Sequence, residues 1–171
     1  MNIITVLPHE RMMNFVIKDV GDVYKEDQKN KICYISLNKS HTSLIESLIA
    51  EDVDTDRLFV IDGVTKSVVK KPKALSNCVF VNSPIDFNEL FTKVDKLLKK
   101  QEIGAVVFDS VCTLSAYRDK KEVIDFLRKF AARVAVAQCE GVFVAIKHNI
   151  EPEMLDKLTM VADRVLYMES T

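Results

Sequence analysis

Asp109 and Ser110 stand directly after an apolar run, in the stretch Gly104–Ser110 (GAVVFDS). A carboxylate and a hydroxyl at the end of a buried strand can serve a magnesium ion, an arrangement found in many nucleotide hydrolases. That chemistry also needs groups that bind the phosphates of the nucleotide. The stretch therefore raises the question of whether the rest of the chain carries a phosphate site.

A phosphate-binding loop needs glycines that let backbone N–H groups turn inward, a lysine, and a Ser or Thr for magnesium. Its place is after the apolar run 2–7, where the chain continues PHERMMNF. This segment has no glycine and no Gly-Lys-Ser/Thr triplet, and Pro8 lacks a backbone N–H. The nearest glycine, Gly21, falls inside the amphipathic segment that follows. We therefore predict that the usual phosphate loop is absent.

Short apolar runs alternate along the chain with longer amphipathic segments. Most runs are apolar on both faces, as strands buried between helix layers are. We predict strands at 2–7, 32–37, 57–62, 78–82, 103–109, 141–147 and 164–169, and helices at about 10–29, 40–51, 86–100, 119–139 and 152–162. This alternation predicts an α/β fold, a three-layer α/β/α sandwich with a mainly parallel central sheet, in one domain that spans residues 1–171.

Two segments carry further local signals. Asp86 is the predicted N-cap of helix 86–100, and Glu89, three residues later, completes a weak capping-box pattern. The segment 63–77 shows no periodicity and is predicted to be a long irregular connection.

The composition argues against several functional classes. The chain has 24 basic and 25 acidic residues, so no overall charge draws it to nucleic acid or to anionic lipid. Its four cysteines lie far apart without a CxxC pair, and we expect reduced core thiols. The first residues lack the features of a signal peptide, and no uncharged apolar run approaches the length of a membrane span. We therefore expect a cytoplasmic protein that does not enter a membrane.

Polar residues follow most of the predicted strands. In a parallel sheet, ligands bind beyond the carboxyl ends of the strands, so a site is expected at this edge. The residues there are His9, Glu10, Arg11, Asn38, Lys39, Ser40, Asp62, Asn82, Ser83, Asp109, Ser110, Lys147 and His148.

Six stretches, taken together, have the character of one known family. They are ICYISLNKSHTSLIESL, RLFVIDG, VNSPIDFNELFTKVDKLL, GAVVFDSVCTL, GVFVAIKH and ADRVLYME. In their order along the chain they resemble the RecA superfamily, and within it the KaiC-like group common in archaea. The resemblance covers nearly the whole chain and rests on element order together with several moderately specific stretches.

The resemblance implies roles for particular positions. It makes 103–109 the Walker B strand and Asp109 its magnesium-associated acid. It places the catalytic glutamates of the family after strand 32–37, where this chain has Asn38 and Lys39. The glycine-rich Walker A loop is replaced by Pro8–Arg11. Two of the three catalytic elements are therefore missing, so the chain resembles an inactive member with a degenerate Walker A.

The candidate residues also have purely structural interpretations. Asp109 can cap the next helix or bond a neighbouring loop without any metal. His148 is either a sensor-like residue, as the resemblance implies, or a histidine bonded to a neighbouring loop. Cys112 together with His148 and Asp109 has the residue types of a thiol hydrolase, but Cys112 is also typical of a buried thiol.

Two basic segments have similar alternatives. Arg11, with His9 and Glu10, can bind an anion or form a salt-bridged helix start. The Lys66–Lys73 loop can contact phosphates of a ligand or of nucleic acid, or remain solvated. The candidate binding residues along the whole edge are Asp109, Ser110, Asn38, Lys39, His148 and Arg11.

The sequence thus predicts a non-catalytic RecA/KaiC-like domain that acts as a partner-binding or regulatory module without a metal or cofactor. The resemblance implies a homo-oligomer or a complex with a RecA-like paralogue. Several apolar residues suit a contact surface, although the same residues can fill the core: Met12, Met13, Phe15, Val16, Met160 and Val161. Two alternatives remain: an unconventional ATPase that uses Asp109 with ATP and magnesium, and a small-molecule or nucleic-acid binding module built on the Lys66–Lys73 loop.

Overall fold

A computed structural model describes residues 1–169 and contains a seven-stranded parallel sheet. Its strands are β1 (Asn2–Leu7), β2 (Lys31–Ser36), β3 (Leu58–Asp62), β4 (Cys78–Phe80), β5 (Ile103–Asp109), β6 (Glu140–Ile146) and β7 (Arg164–Tyr167). Their spatial order is β4-β3-β2-β5-β6-β1-β7. The strands at the centre are apolar at nearly every position because helices cover both faces of the sheet.

The helices lie on both faces of this sheet. They are α1 (Met13–Val23), α2 (His41–Ile49), α3 (Phe87–Lys100), α4 (Val111–Tyr117), α5 (Lys120–Val136) and α6 (Pro152–Thr159). The connections through α1 and α2 run toward β4, and those through α3, α5 and α6 run the other way. Because parallel crossovers are right-handed, the two groups cover opposite faces. The predicted three-layer α/β/α sandwich is confirmed.

The predicted strands agree with the structure to within about two residues, but two helical segments differ. The segment 10–29 is a 3-10 turn (Glu10–Met12), then α1, then an irregular stretch before β2. Helix α4 was not predicted. Its apolar residues continue the apolar run of β5 across Asp109, so no local signal separates the two elements.

The core contains a cluster of phenylalanines from β5, β6 and α5. The ring centroids of Phe108 and Phe130 lie 5.4 Å apart, and those of Phe108 and Phe143 lie 6.1 Å apart. Met12, Met13 and Val16 are buried in the same continuous core, so their interpretation as surface contacts is wrong. Phe15 and Met160 are exposed. All four cysteines are buried and free.

One glycine is required by a close backbone approach. A Cβ atom on Gly104, at the start of β5, would lie 2.1 Å from the carbonyl oxygen of Lys29 and 2.8 Å from the Tyr24 ring. The segment between α1 and β2 therefore crosses directly over the amino end of β5.

Helix α3 begins after the predicted N-cap Asp86, but Glu89 does not form the predicted capping box. The Asp86 carboxylate accepts from the backbone N–H of Glu89 at 3.0 Å. The Glu89 carboxylate does not complete the capping box, because it accepts instead from the backbone N–H and side-chain amide of Asn82.

Within residues 1–169, none of the helices is both long enough and apolar enough to cross a lipid bilayer.

Candidate functional site

The carboxyl edge of the sheet brings together some of the candidate residues. Asp109, Asn38 and Lys39 line a small cavity above β2 and β5, together with Glu10, Met13 and Ile146. The cavity has a volume of about 20 Å³, roughly the space for one water molecule. The sequence predicted that Asp109, Asn38 and Lys39 lie at this edge. It did not predict that Glu10 is a neighbour of Asp109.

Asp109 is held by a residue that the sequence did not single out. Tyr34 on β2 lies opposite Val107 in the register, so its side chain is on the same face as that of Asp109. The Tyr34 hydroxyl donates a hydrogen bond to Asp109 Oδ2 at 2.5 Å. The contact joins residues of adjacent strands that are far apart in sequence, so only the strand order could reveal it. The peptide bond between Asp109 and Ser110 is cis.

The electrostatics around Asp109 follow from burial. Burial raises the pKa of the Asp109 carboxyl, and Glu10 acts in the same direction. The Tyr34 hydroxyl and the Lys39 ammonium group oppose this shift in pKa without cancelling it. Burial also raises the pKa of the Tyr34 hydroxyl, with the Asp109 charge as the next cause. The pair is therefore a neutral phenol donating to a carboxylate.

Two other polar candidates near Asp109, Asn38 and Ser110, both contact Thr113 on α4. The Thr113 hydroxyl of α4 donates to the Asn38 side-chain oxygen at 2.7 Å. Ser110 is buried at the N-cap of α4, makes no capping hydrogen bond, and has its hydroxyl 3.4 Å from that of Thr113. The link between Asn38 and Thr113 ties the end of β2 to the first turn of α4.

Arg11 and His148 lie outside this group. Both are exposed, Arg11 in the 3-10 turn after β1 and His148 in the turn after β6. The predicted salt-bridged helix start is wrong, because neither Glu10 nor Arg11 takes part in any of the ion pairs of residues 1–169. Of the six candidate binding residues, Asp109, Asn38 and Lys39 line the cavity. The other three, Ser110, Arg11 and His148, are not part of its lining.

The thiol of Cys112 contacts backbone rather than a catalytic base. Its sulfur accepts from the backbone N–H of Ile146 at 3.3 Å. Burial raises the pKa of this thiol, whereas a nucleophilic cysteine needs a lowered pKa. Cys112 therefore has the features of a core thiol.

A second strand-end carboxylate, Asp62 on β3, is fully buried and has four donors. The backbone N–H of His41 donates to it at 2.7 Å, and that of Val64 also at 2.7 Å. Thr65 donates through its backbone N–H at 2.8 Å and through its hydroxyl at 2.5 Å. Thr65, three residues after Asp62, is a local sequence signal for this turn that the sequence predictions did not use. Asp62 thus joins the start of α2 to the loop after β3.

Larger openings lie elsewhere on the surface. A groove of about 720 Å³ runs between α3 and α5, with Phe87 and Phe126 stacked at 4.3 Å beneath it. A second groove of about 360 Å³ lies at the carboxyl edge beside the Lys66–Lys73 loop. Within the described chain, no group of three or more His, Cys, Asp or Glu side chains is placed to hold a metal ion.

Comparisons with known proteins agree with the fold. No family model and no curated protein sequence matches this chain. Among solved structures, a KaiC-like protein from the hyperthermophilic archaeon Pyrococcus horikoshii OT3 superimposes with a TM-score of 0.70 at 10% sequence identity. The match covers 99% of this chain and 74% of the archaeal one. At this identity the likeness shows the fold alone, and that fold is the RecA-like α/β/α core of a KaiC-like protein.

Proposed function

We propose that this RecA/KaiC-like domain does not hydrolyse ATP and acts as a partner-binding or regulatory module. The observation that carries the proposal is the hydrogen bond from Tyr34 to Asp109 beneath a cavity of about 20 Å³. A magnesium-associated acid must be ionised and open to the metal and its waters. One oxygen of Asp109 already accepts a hydrogen bond from Tyr34, and the cavity above it has room for about one water molecule, so the site leaves little space for a metal ion with its waters.

The segment after β1 supports the same proposal. In place of a wide loop, the chain forms a 3-10 turn in which the Met12 N–H donates to the His9 carbonyl at 3.2 Å. Met12 and Met13 then turn into the core. Backbone N–H groups used inside a tight turn are not free to surround a phosphate. Glu10 adds a negative charge near Asp109, which would repel a phosphate.

The loss of these groups affects phosphoryl transfer more than other chemistry. Catalysis of that reaction depends almost entirely on positioned cations and N–H donors around the phosphates. Asn38 and Lys39 stand where the resemblance expects catalytic carboxylates, and Asn38 is engaged by Thr113. We therefore expect neither ATP turnover nor a bound ATP–magnesium complex.

The domain also exposes several large apolar side chains on its surface. Val68 is 82% exposed and Tyr117 is 69% exposed, both at the carboxyl edge. Leu166 and Tyr167 are exposed on the edge strand β7. Exposed apolar side chains near an open strand edge are typical of surfaces that meet another protein. These residues support the association part of the proposal.

The test is ATP turnover and thermal unfolding of the purified protein with and without ATP and magnesium. We expect no phosphate release above that of buffer and no rise in the unfolding midpoint, because a ligand that binds only the folded state would raise it. Turnover that Asp109→Ala abolishes, and that Asp156→Ala leaves intact, would contradict the proposal. Asp156 is the matched control because it is an exposed carboxylate on α6.

A further inference from the structure

The groove of about 360 Å³ at the carboxyl edge has mainly apolar walls. Leu37, Val64, Ile85 and Tyr117 supply them, and the exposed ring of Tyr117 forms part of its mouth. Val64 belongs to the segment that connects β3 to β4. The groove therefore offers a place for an apolar side chain and is bordered by the Lys66–Lys73 loop.

That loop has an unbalanced positive charge. Residues 63–85 contain four lysines and no acidic residue. Lys66 donates to the Asn82 side chain at 3.1 Å, and Glu89 bonds the same asparagine, so the charge of Lys66 is partly offset. Lys70, Lys71 and Lys73 are exposed and belong to none of the ion pairs of the described chain.

The opposite end of β3 carries the complementary feature, which we call the acidic knob (residues 49–56). Ile49, the last residue of α2, is 59% exposed. The chain then turns sharply, with Asp52 at φ 59° and the Val53 N–H bonded to the Leu48 carbonyl at 3.0 Å. This turn presents one exposed apolar side chain beside four exposed acidic residues: Glu51, Asp52, Asp54 and Asp56.

Part of the knob's charge is offset within the chain. Asp54 lies 3.5 Å from the Arg57 guanidinium group. Glu51, Asp52 and Asp56 belong to none of the ion pairs of the described chain. Three acidic side chains thus face solvent at one end of β3, and three lysines face solvent at the other.

We propose that the groove receives the acidic knob of a second copy of this chain, with Ile49 in the apolar groove and the acids against Lys70, Lys71 and Lys73. The five residues of β3 span roughly 17 Å at about 3.3 Å per residue, so knob and groove lie on different surfaces of one copy and can meet only between two copies. Such a contact is head-to-tail. This inference rests on the proposed function, for which it names the partner and the surface.

The surface fits an acidic protein segment better than nucleic acid. The loop has no arginine and no aromatic residue, the side chains that bind phosphates bidentately and stack on bases. Its exposed Val68 and Val69, next to apolar groove walls, favour an apolar partner instead. Nucleic-acid binding therefore becomes an alternative outcome of the test.

The test is a charge swap followed by sedimentation or light scattering. One variant carries Lys70→Glu, Lys71→Glu and Lys73→Glu, and the other carries Glu51→Lys, Asp52→Lys and Asp56→Lys. We expect wild-type mass to rise with concentration at low salt and to fall to the monomer in about 1 M NaCl, where the Debye length is about 3 Å. Each variant alone should associate at least about tenfold more weakly, while their equimolar mixture should associate again, because every knob then meets a groove of opposite charge.

Two controls separate this contact from a general effect of charge or of fold. Lys96→Glu, Lys100→Glu and Lys129→Glu make the same change in net charge on α3 and α5 and should leave association unchanged. Ile49→Ser should weaken association, whereas Val136→Ser, at an exposed valine ending α5, should not. Circular dichroism establishes that each variant is folded.

Several outcomes would overturn the inference. They are a folded swap mixture that stays monomeric, loop variants that associate like the wild type, and a wild type that is monomeric at hundreds of micromolar in low salt. Binding of a single-stranded oligonucleotide by a monomeric wild type, lost in the loop variant, would replace it with a nucleic-acid function. None of these results requires ATP turnover, so a failure here is distinguishable from a failure of the non-catalytic proposal.

Discussion

Asp62 and Asp109 end two parallel strands at the same edge of the sheet, yet their surroundings differ. Asp62 is fully buried and accepts four hydrogen bonds, three of them from backbone N–H groups. Asp109 is half-buried, and Tyr34 is the one side chain that donates to it within the described chain. At Asp62, the four donors replace the hydrogen bonds that water would make. At Asp109, burial is the largest influence on the carboxyl group and raises its pKa.

The comparison shows that a strand-end carboxylate is not by itself evidence of a metal site. Asp62 organises the backbone on both sides of it, so its charge is used within the fold. The Asp109 charge is partly buried with one side-chain donor, so its desolvation is not fully offset. The predictions below test this difference, in order of decreasing effect.

Asp62→Ala should have the largest effect. It leaves the N–H groups of His41, Val64 and Thr65 without their acceptor in the protein interior, where each unsatisfied donor costs about 1–3 kcal/mol. We expect the free energy of unfolding to fall by about 3 kcal/mol or more, measured by urea denaturation. Asp62→Asn, which keeps one acceptor oxygen, should lose less. If Asp62→Ala costs no more than Asp109→Ala, the proposed difference between the two carboxylates is wrong.

Asp109→Asn should change stability in a pH-dependent manner. Because the folded-state pKa of Asp109 is raised above 3.8, the folded wild type binds this proton more tightly than the unfolded chain does. Its stability relative to Asp109→Asn should therefore be greatest below pH 3.8 and decline as the pH rises through the raised pKa. The total change should be on the order of 1 kcal/mol.

Asp95→Asn is a control with the opposite sign. Hydrogen bonds from Lys99 and then from Arg133 lower the pKa of Asp95. The wild type should therefore gain stability relative to Asp95→Asn as the pH rises through the lowered pKa, and lose it as the pH falls. Parallel unfolding curves across the acid range test both signs. The same slope for Asp109→Asn and Asp95→Asn would refute the interpretation of Asp109.

The smallest predicted effect concerns the helices that start beside the two carboxylates. Ser40 caps α2 by accepting from the Ser43 N–H at 3.3 Å, whereas Ser110 occupies the N-cap of α4 without a capping bond. Ser40→Ala should therefore cost about 0.5–1 kcal/mol and Ser110→Ala less, although Ser110 is the more buried serine. Thermal unfolding of the two variants side by side tests the order. A larger cost for Ser110→Ala would show that α4 depends on the end of β5 more than its hydrogen bonds indicate.

Most of the fold was predictable because its signals are local. Strands buried on both faces are continuous apolar runs, and β1, β5 and β6 could be found from those runs alone. Helix α4 could not, because its seven residues are too few for a clear period and it is stabilised by packing on β6 and α5. The prediction of the Asp86 cap relied on a local signal and is confirmed. The role of Glu89 could not be predicted in this way, because it depends on where the tertiary structure places Asn82.

The sequence by itself determined the α/β/α class, the absence of a glycine-lysine phosphate loop, and the opposite charges of residues 51–56 and 66–73. Only the tertiary structure decided that Tyr34 donates to Asp109 and that Asp62 joins α2 to the loop after β3. It also placed the acidic knob and the groove at opposite ends of one strand. The physical reason is the range of the interactions: periodicity and composition are properties of neighbouring residues, whereas these contacts depend on the order and register of strands that lie far apart in the chain.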